Sequence, residues 1–221
     1  MTILHTLEKE KLIHPPLWLS DNTQYLCIMG SVAYGVSNDT SDMDLYGYCI
    51  PTKEIVFQHL SGEILGFGRQ KERFEVFQKH GTTYGDKVYD VSVFNIVKYF
   101  HLCMEGNPNM IDSMFVPLNC IVHSTQISNL IREKRHLFLS KVLFPRMKGY
   151  AYAQLSKMGS KERIGKRKDT VDKFGFDVKY AYHVIRLLSQ CEQILATGTL
   201  DLQETSRREH MKAIRNGEVS E

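Results

Sequence analysis

The sequence predicts an α+β fold: a first part of about 120 residues mixing strands and helices, then a helical part of about 95, judged from where the residue pattern changes. Three observations carry this. Before Ser124, apolar runs rich in strand formers alternate with Gly, Ser, Asn and Asp clusters. After Ser124, apolar residues recur at helical spacing over 125–136, 146–158 and 177–197. No Pro/Gly linker separates the two patterns, so the halves, 1–123 and 124–221, are expected to pack closely.

Residues 1–23 are polar and contain Pro15 and Pro16, which gives a short helix or strand and then a turn. Gln24 to Met29 (QYLCIM) is the first strand. It ends at Gly30-Ser31, which opens a short turn of helix before the turn cluster Asn38 to Ser41. Asp42 to Ile50 is the second strand, and Pro51 closes it. The stretch 52–84, with Gly62, Gly66, Gly68 and Gly81, is a mixed excursion holding a strand or two. Lys87 to Ser92 is the third strand, and a helix is expected from Val91 to Met104. Gly106-Asn107-Pro108 breaks it ahead of a short helix at Met110 to Phe115. Ile121-Val122 is a last short strand.

The chain has 221 residues, enough to bury a core unaided. With 43% hydrophobic and 24% charged residues it has the composition of a globular protein. Lys and Arg total 28 against 25 Asp and Glu, a net charge of +3, which excludes a strongly cationic coat protein but not a local basic patch. No apolar run is long enough to span a bilayer, and the N-terminus lacks the pattern of a signal peptide, so a cytosolic protein with no membrane partner is expected. The cysteines Cys27, Cys49, Cys103, Cys120 and Cys191 are odd in number and widely spaced, unlike a disulfide framework or zinc knuckle.

The chemistry centres on Asp42, Asp44 and Asp90. Strand side chains alternate, so Asp42 and Asp44 share a face. Like charges so close raise a carboxylate pKa unless a cation lies between them, and hard oxygen donors suit Mg²⁺ (or Mn²⁺). Asp90, on the third strand, is a candidate third ligand. Upstream, Gly30 lets the backbone approach a phosphate and Ser31 adds a hydroxyl. A lone Asp-x-Asp is commonly a solvated turn. Here it sits inside an apolar strand, where an unpaired carboxylate is costly. A phosphate cradle ahead of a carboxylate pair is the layout for two-metal phosphoryl chemistry.

The run GSVAYGVSNDTSDMDLYG resembles the GS…DxD signature of the DNA polymerase β-like nucleotidyltransferase superfamily. More narrowly it is similar to the predicted nucleotidyltransferase family that includes RlaP-like and phage proteins. GNPNMIDSMFVP, GYAYAQL and VKYAYHVIRLL resemble that family's later segments, so the likeness runs from about Gln24 to the C-terminus. Asp112 stands where the family more often has Glu. The resemblance implies a polymerase-β-type palm followed by a helical domain that closes over a nucleotide. It implies that Gly30 and Ser31 hold an NTP triphosphate, that Asp42 and Asp44 bridge two Mg²⁺ ions, and that Asp90 binds the second metal and orients an attacking hydroxyl. Pyrophosphate would leave from the α-phosphate.

On the last long helix, Lys179, His183, Arg186 and Gln190 form one polar stripe with no acid in it before Glu192. The stripe is either a solvated face or a cation row facing the cleft. In the second case Arg186, with its planar fork, is expected to grip phosphate most firmly. Tyr150, Gln154 and Lys157 repeat the spacing on the preceding helix, with core packing an equal reading for Tyr150. Lys157, Lys161, Arg163, Lys166, Arg167 and Lys168, against Glu162 alone, are expected in a basic loop, either solvated or clamping a nucleic-acid backbone. Asn107 and Asn109 are expected to cap the short helix.

The expected activity is metal-dependent transfer of an NMP from an NTP to a hydroxyl acceptor: an RNA end, a protein or a small molecule. The alternative is a nucleotide- or partner-binding module that has lost turnover. A metal-dependent nuclease fits less well, because the Gly-Ser cradle suits a triphosphate.

Overall fold

A computed structural model describes residues 1–38, 41–64, 66–68, 73–160 and 166–219. The helices are α1 (Ile3–Lys9), α2 (Leu19–Asn22), α3 (Gly30–Ala33), α4 (Lys53–Val56), α5 (Ile96–Met104), α6 (Pro108–Phe115), α7 (Gln126–Glu133), α8 (Leu143–Ser160), α9 (Lys166–Phe174), α10 (Val178–Thr197) and α11 (Thr205–Asn216). Five strands, β1 (Thr23–Ile28), β2 (Met43–Cys49), β3 (Val76–Tyr84), β4 (Lys87–Asn95) and β5 (Ile121–Ser124), form one mixed sheet in the order β3-β4-β2-β1-β5. Only the central β2–β4 pair is parallel; its register sets Asp44 beside Asp90 and Tyr46 beside Ser92.

The sheet is covered on both faces, as the strand alternation requires. Leu26, Leu45, Cys49, Val91 and Val93 pack on Leu4, Leu7, Ile13 and Leu19 from the N-terminal segment. Tyr25, Cys27, Tyr48 and Phe94 belong to a larger core that also takes in Tyr99, Ile111, Leu143, Met147, Ile194 and Met211. That second core runs from the sheet into the late helices without a break. All five cysteines are buried free thiols. Burial pushes Cys27 and Cys49 up to about 12, so they pack as small hydrophobes.

Several expected boundaries move. The third strand runs to Asn95, because Val91 and Val93 pack on the N-terminal side rather than along a helix. Helix α5 starts only where the Asn95 side chain accepts the Val97 N–H. Asn107 caps α6, accepting from the N–H groups of Asn109 and Met110 ahead of Pro108 at the first turn. Asn109 is not a cap but lies inside that helix. The basic loop is largely helix: α8 carries Lys157, and α9 begins at Lys166. Lys161 and Arg163 fall outside the described residues. Charge-rich α9 carries little apolar periodicity, with Val171 and Phe174 half-buried, so the pattern did not reveal it.

A buried polar cluster ties α6 and α10 to the segment after α3. Asp112 on α6 is fully buried, and Arg186 on α10 is 4% exposed. Arg186 donates through one terminal nitrogen to Asp112 Oδ2 and to Gln190 Oε1. Tyr34 O–H donates to Asp112 Oδ2 at 2.8 Å, and Gln190 Nε2 to Oδ1 at 3.2 Å. The guanidinium lies 4.5 Å over the Tyr34 ring. Burial pushes the Asp112 carboxyl up, opposed first by the Arg186 charge. Burial also works against the guanidinium charge, yet Tyr34 and Asp112 hold its pKa above the ordinary value. The pair is ionised, since a guanidinium does not give up its proton in a protein.

Removing one member of such a pair leaves the other charge buried and unmatched. Arg186→Ala is therefore expected to lower the free energy of unfolding by about 3–5 kcal/mol in urea denaturation. A loss below about 1 kcal/mol would rank the pair with surface ion pairs.

Candidate active site

A cleft of about 850 Å³ opens where α3, β2, β4, α10 and α11 meet. Its lining includes Gly30, Ser31, Asp42, Asp44 and Asp90 on one side and Lys179, His183 and Arg186 on the other. These eight residues thus border one space, whereas Tyr150, Gln154 and Lys157 of α8 do not line it. Gln190 does not line it and serves the Asp112 cluster instead.

Gly30 holds a backbone φ of +64°, and any Cβ there would overlap the Asp44 carboxylate. Only glycine allows this close approach. Helix α3 is a single turn, so its dipole is small; what it offers an anion is the bare Gly30 backbone and the Ser31 hydroxyl. The segment is fastened from behind by the C-terminal residues. Gln203 donates to the Ala33 carbonyl at 3.1 Å and Arg215 to that of Val36 at 2.6 Å.

The Asp44 carboxyl is held above the usual carboxylate range, first by burial and then by the Asp90 charge, with Lys179 opposing and Asp42 adding. The exposed Asp42 lies just ahead of β2. Asp90 is turned toward β3: one oxygen accepts the Gly81 N–H at 2.7 Å and the other faces His80 Nδ1 at 3.4 Å. Among the described residues, no three His, Cys, Asp or Glu side chains are gathered as a finished metal site. The donor chemistry nevertheless fits a divalent cation. Asp42, Asp44 and Asp90 supply hard oxygens, the donor type that Mg²⁺ or Mn²⁺ takes.

The opposite wall differs from expectation in one respect. The cation stripe on α10 has an acid partner after all, supplied by α6 rather than by its own helix. Arg186 is held by Asp112, so its terminal nitrogen is not a spare phosphate fork. Lys179 remains exposed near the N-terminus of α10, which Asp177 caps. The His183 ring lies 4.2 Å from the Tyr182 ring centre, tilted by 31°.

Two further cations line the cleft, Lys212 and Arg215 of α11. Arg215 lies 5.4 Å over the Tyr182 ring, and Lys212 meets Glu209 at 3.2 Å. Sequence reasoning missed them. Their signal was the spacing Arg208, Lys212, Arg215 along one helical stripe of a charge-rich segment.

The model of one protein family, RlaP, described as the RNA repair pathway DNA polymerase beta family, matches residues 3–216. The chain belongs to that family. Membership carries the α+β fold with its mixed five-stranded sheet, and it points to nucleotidyltransferase chemistry. No curated protein matches the sequence. Among the described residues, no helix is long and apolar enough to cross a membrane.

A carboxylate whose pKa is raised by folding opposes folding above its unfolded pKa, and the penalty fades as acid protonates it. Asp44→Asn is therefore expected to keep or raise Tm in a chelator at neutral pH. The difference from wild type should shrink as pH falls through the raised Asp44 pKa. Thermal melts at several pH values check this; a clear drop in Tm at neutral pH would contradict it.

Proposed function

We propose that the protein is a divalent-metal-dependent nucleotidyltransferase that moves an NMP from an NTP to a hydroxyl acceptor and releases pyrophosphate. The observation that carries this is the pairing of Asp44 and Asp90 across parallel strands, facing one cleft beside Gly30 and opposite a wall of cations. An acid-lined wall alone would repel a triphosphate. Facing Lys179, His183, Lys212 and Arg215, it suits a nucleotide brought with its metal.

In this reading Gly30 and Ser31 receive the triphosphate through the backbone and a hydroxyl donor. Lys179 and His183 bind its outer phosphates, joined by Lys212 and Arg215. Arg186, already held by Asp112, contributes fixed positive charge and keeps α10 aligned. Asp42, Asp44 and Asp90 would hold Mg²⁺ or Mn²⁺, which when bound would neutralise charge on the leaving pyrophosphate and ease ionisation of the attacking hydroxyl. Asp90 also accepts a hydrogen bond from that hydroxyl and aims it in line with the α-phosphate. Residues 1–123 form the catalytic part, and 124–221 the part that closes over the nucleotide.

One observation favours a second reading, a nucleotide-binding module without turnover. Both Asp90 oxygens already face protein groups, Gly81 N–H and His80.

The protein is incubated with each α-labelled NTP, Mg²⁺ or Mn²⁺, and cell extract, and label is followed into RNA, protein and small molecules. Transfer is expected, abolished by chelation and reduced about 10²-fold or more by Asp44→Asn. NTP binding without any transfer would establish the binding module instead.

A further inference from the structure

Residues 134–158 include six Lys and Arg and no Asp or Glu. Much of this acid-free stretch is helix α8, which packs on the rest of the protein through Leu143, Met147 and Ala151 and turns most of its remaining circumference to solvent. At about 100° per residue, the exposed side chains fall into two rows with a floor between them. One row is Phe144, Lys148 and Tyr152. The Lys148 ammonium lies 6.0 Å from the Phe144 ring centre and 5.8 Å from that of Tyr152. The other row holds Arg146 and Tyr150. The floor is small: Pro145, Gly149 and Ala153 are all exposed, and a Cβ added at Gly149 would meet nothing within 4 Å.

The second row leads to the cleft. Asn107 Nδ2 donates to Tyr150 O–H at 3.3 Å, and Arg146 packs against the Gly106 turn. Two residues beyond Asn107, Asn109 lines the cleft itself.

We infer that this exposed face of α8 binds a single-stranded nucleic acid and leads its end to the cleft. Cations on both rims match phosphates along a strand, and the acid-free sequence removes the usual local repulsion. Exposed rings beside those cations give unpaired bases a flat surface, which neither a duplex with its bases stacked inside nor an acidic peptide needs. The direction of travel rests on the nucleotidyltransferase reading; binding to the α8 face does not.

The test is fluorescence anisotropy with a labelled single-stranded RNA 12-mer, the same sequence as single-stranded DNA, and a duplex RNA, at several salt concentrations. Wild type is expected to bind either single strand more tightly than the duplex, with affinity falling as salt rises. Gly149→Glu puts an acid between the two rows in open space and should weaken binding about 10-fold or more, while Gly149→Ala should bind like wild type. Phe144→Ala with Tyr152→Ala should weaken single-strand binding about 10-fold while leaving the salt dependence unchanged. All variants should keep calorimetric NTP binding with Mg²⁺. Equal affinity of wild type and Gly149→Glu, preference for the duplex, or no binding to single strands would each overturn the proposal. Loss of NTP binding in wild type, with strand binding intact, would overturn the nucleotidyltransferase reading and leave strand binding by α8 standing.

Discussion

The ion pair between Asp112 and Arg186 is the constraint on which the rest of the structure hangs. Two charges taken out of water must find each other and their remaining hydrogen bonds, or the fold loses several kcal/mol. Here the carboxylate accepts from Arg186, Tyr34 and Gln190 together. Those partners come from α10 and from the residue just after α3, while the acid sits on α6. Satisfying one buried charge therefore fixes three segments against one another. The segment that follows β1 and the helix that carries Lys179 and His183 cannot shift independently.

The cleft is built around a charge imbalance that the fold tolerates rather than removes. Asp44 and Asp90 are neighbours by register, so their repulsion is set by strand pairing and not by loop choice. Gly30 presses against the same carboxylate from the other side. The opposing wall is cationic, yet its most deeply buried member is already neutralised by Asp112. What remains for a ligand is positive charge from Lys179 and α11, facing the carboxylates of Asp44 and Asp90. A polyphosphate with its divalent cation answers both halves of that arrangement. The C-terminal segment contributes twice, placing Lys212 and Arg215 at the cleft and bonding the carbonyls of Ala33 and Val36.

Much of this was legible in the sequence because it depends on short spacings. Asp42, Asp44 and the preceding Gly-Ser lie within 15 residues, and strand alternation assigns faces without knowledge of the fold. The long apolar period of α10 likewise placed Lys179, His183 and Arg186 on one stripe. What depended on distant pairing was hidden. The acid that meets Arg186 lies 74 residues earlier, on a helix whose own spacing gives no hint of α10. The contacts that hold Asp90 come from β3, inside a glycine-rich stretch with no clean period. Helix α9 went unread because a charge-rich helix leaves little apolar periodicity to detect. Lys212 and Arg215 had the right spacing, but only the packing of α11 against the segment after β1 gives that spacing a target.

Calorimetric titration of a non-hydrolysable NTP into the protein, with and without Mg²⁺, tests the account most directly. The cleft predicts one nucleotide per chain, bound more tightly with the metal, and that gain lost in Asp44→Asn. Binding indifferent both to Mg²⁺ and to Asp44→Asn, or no binding at all, would contradict it.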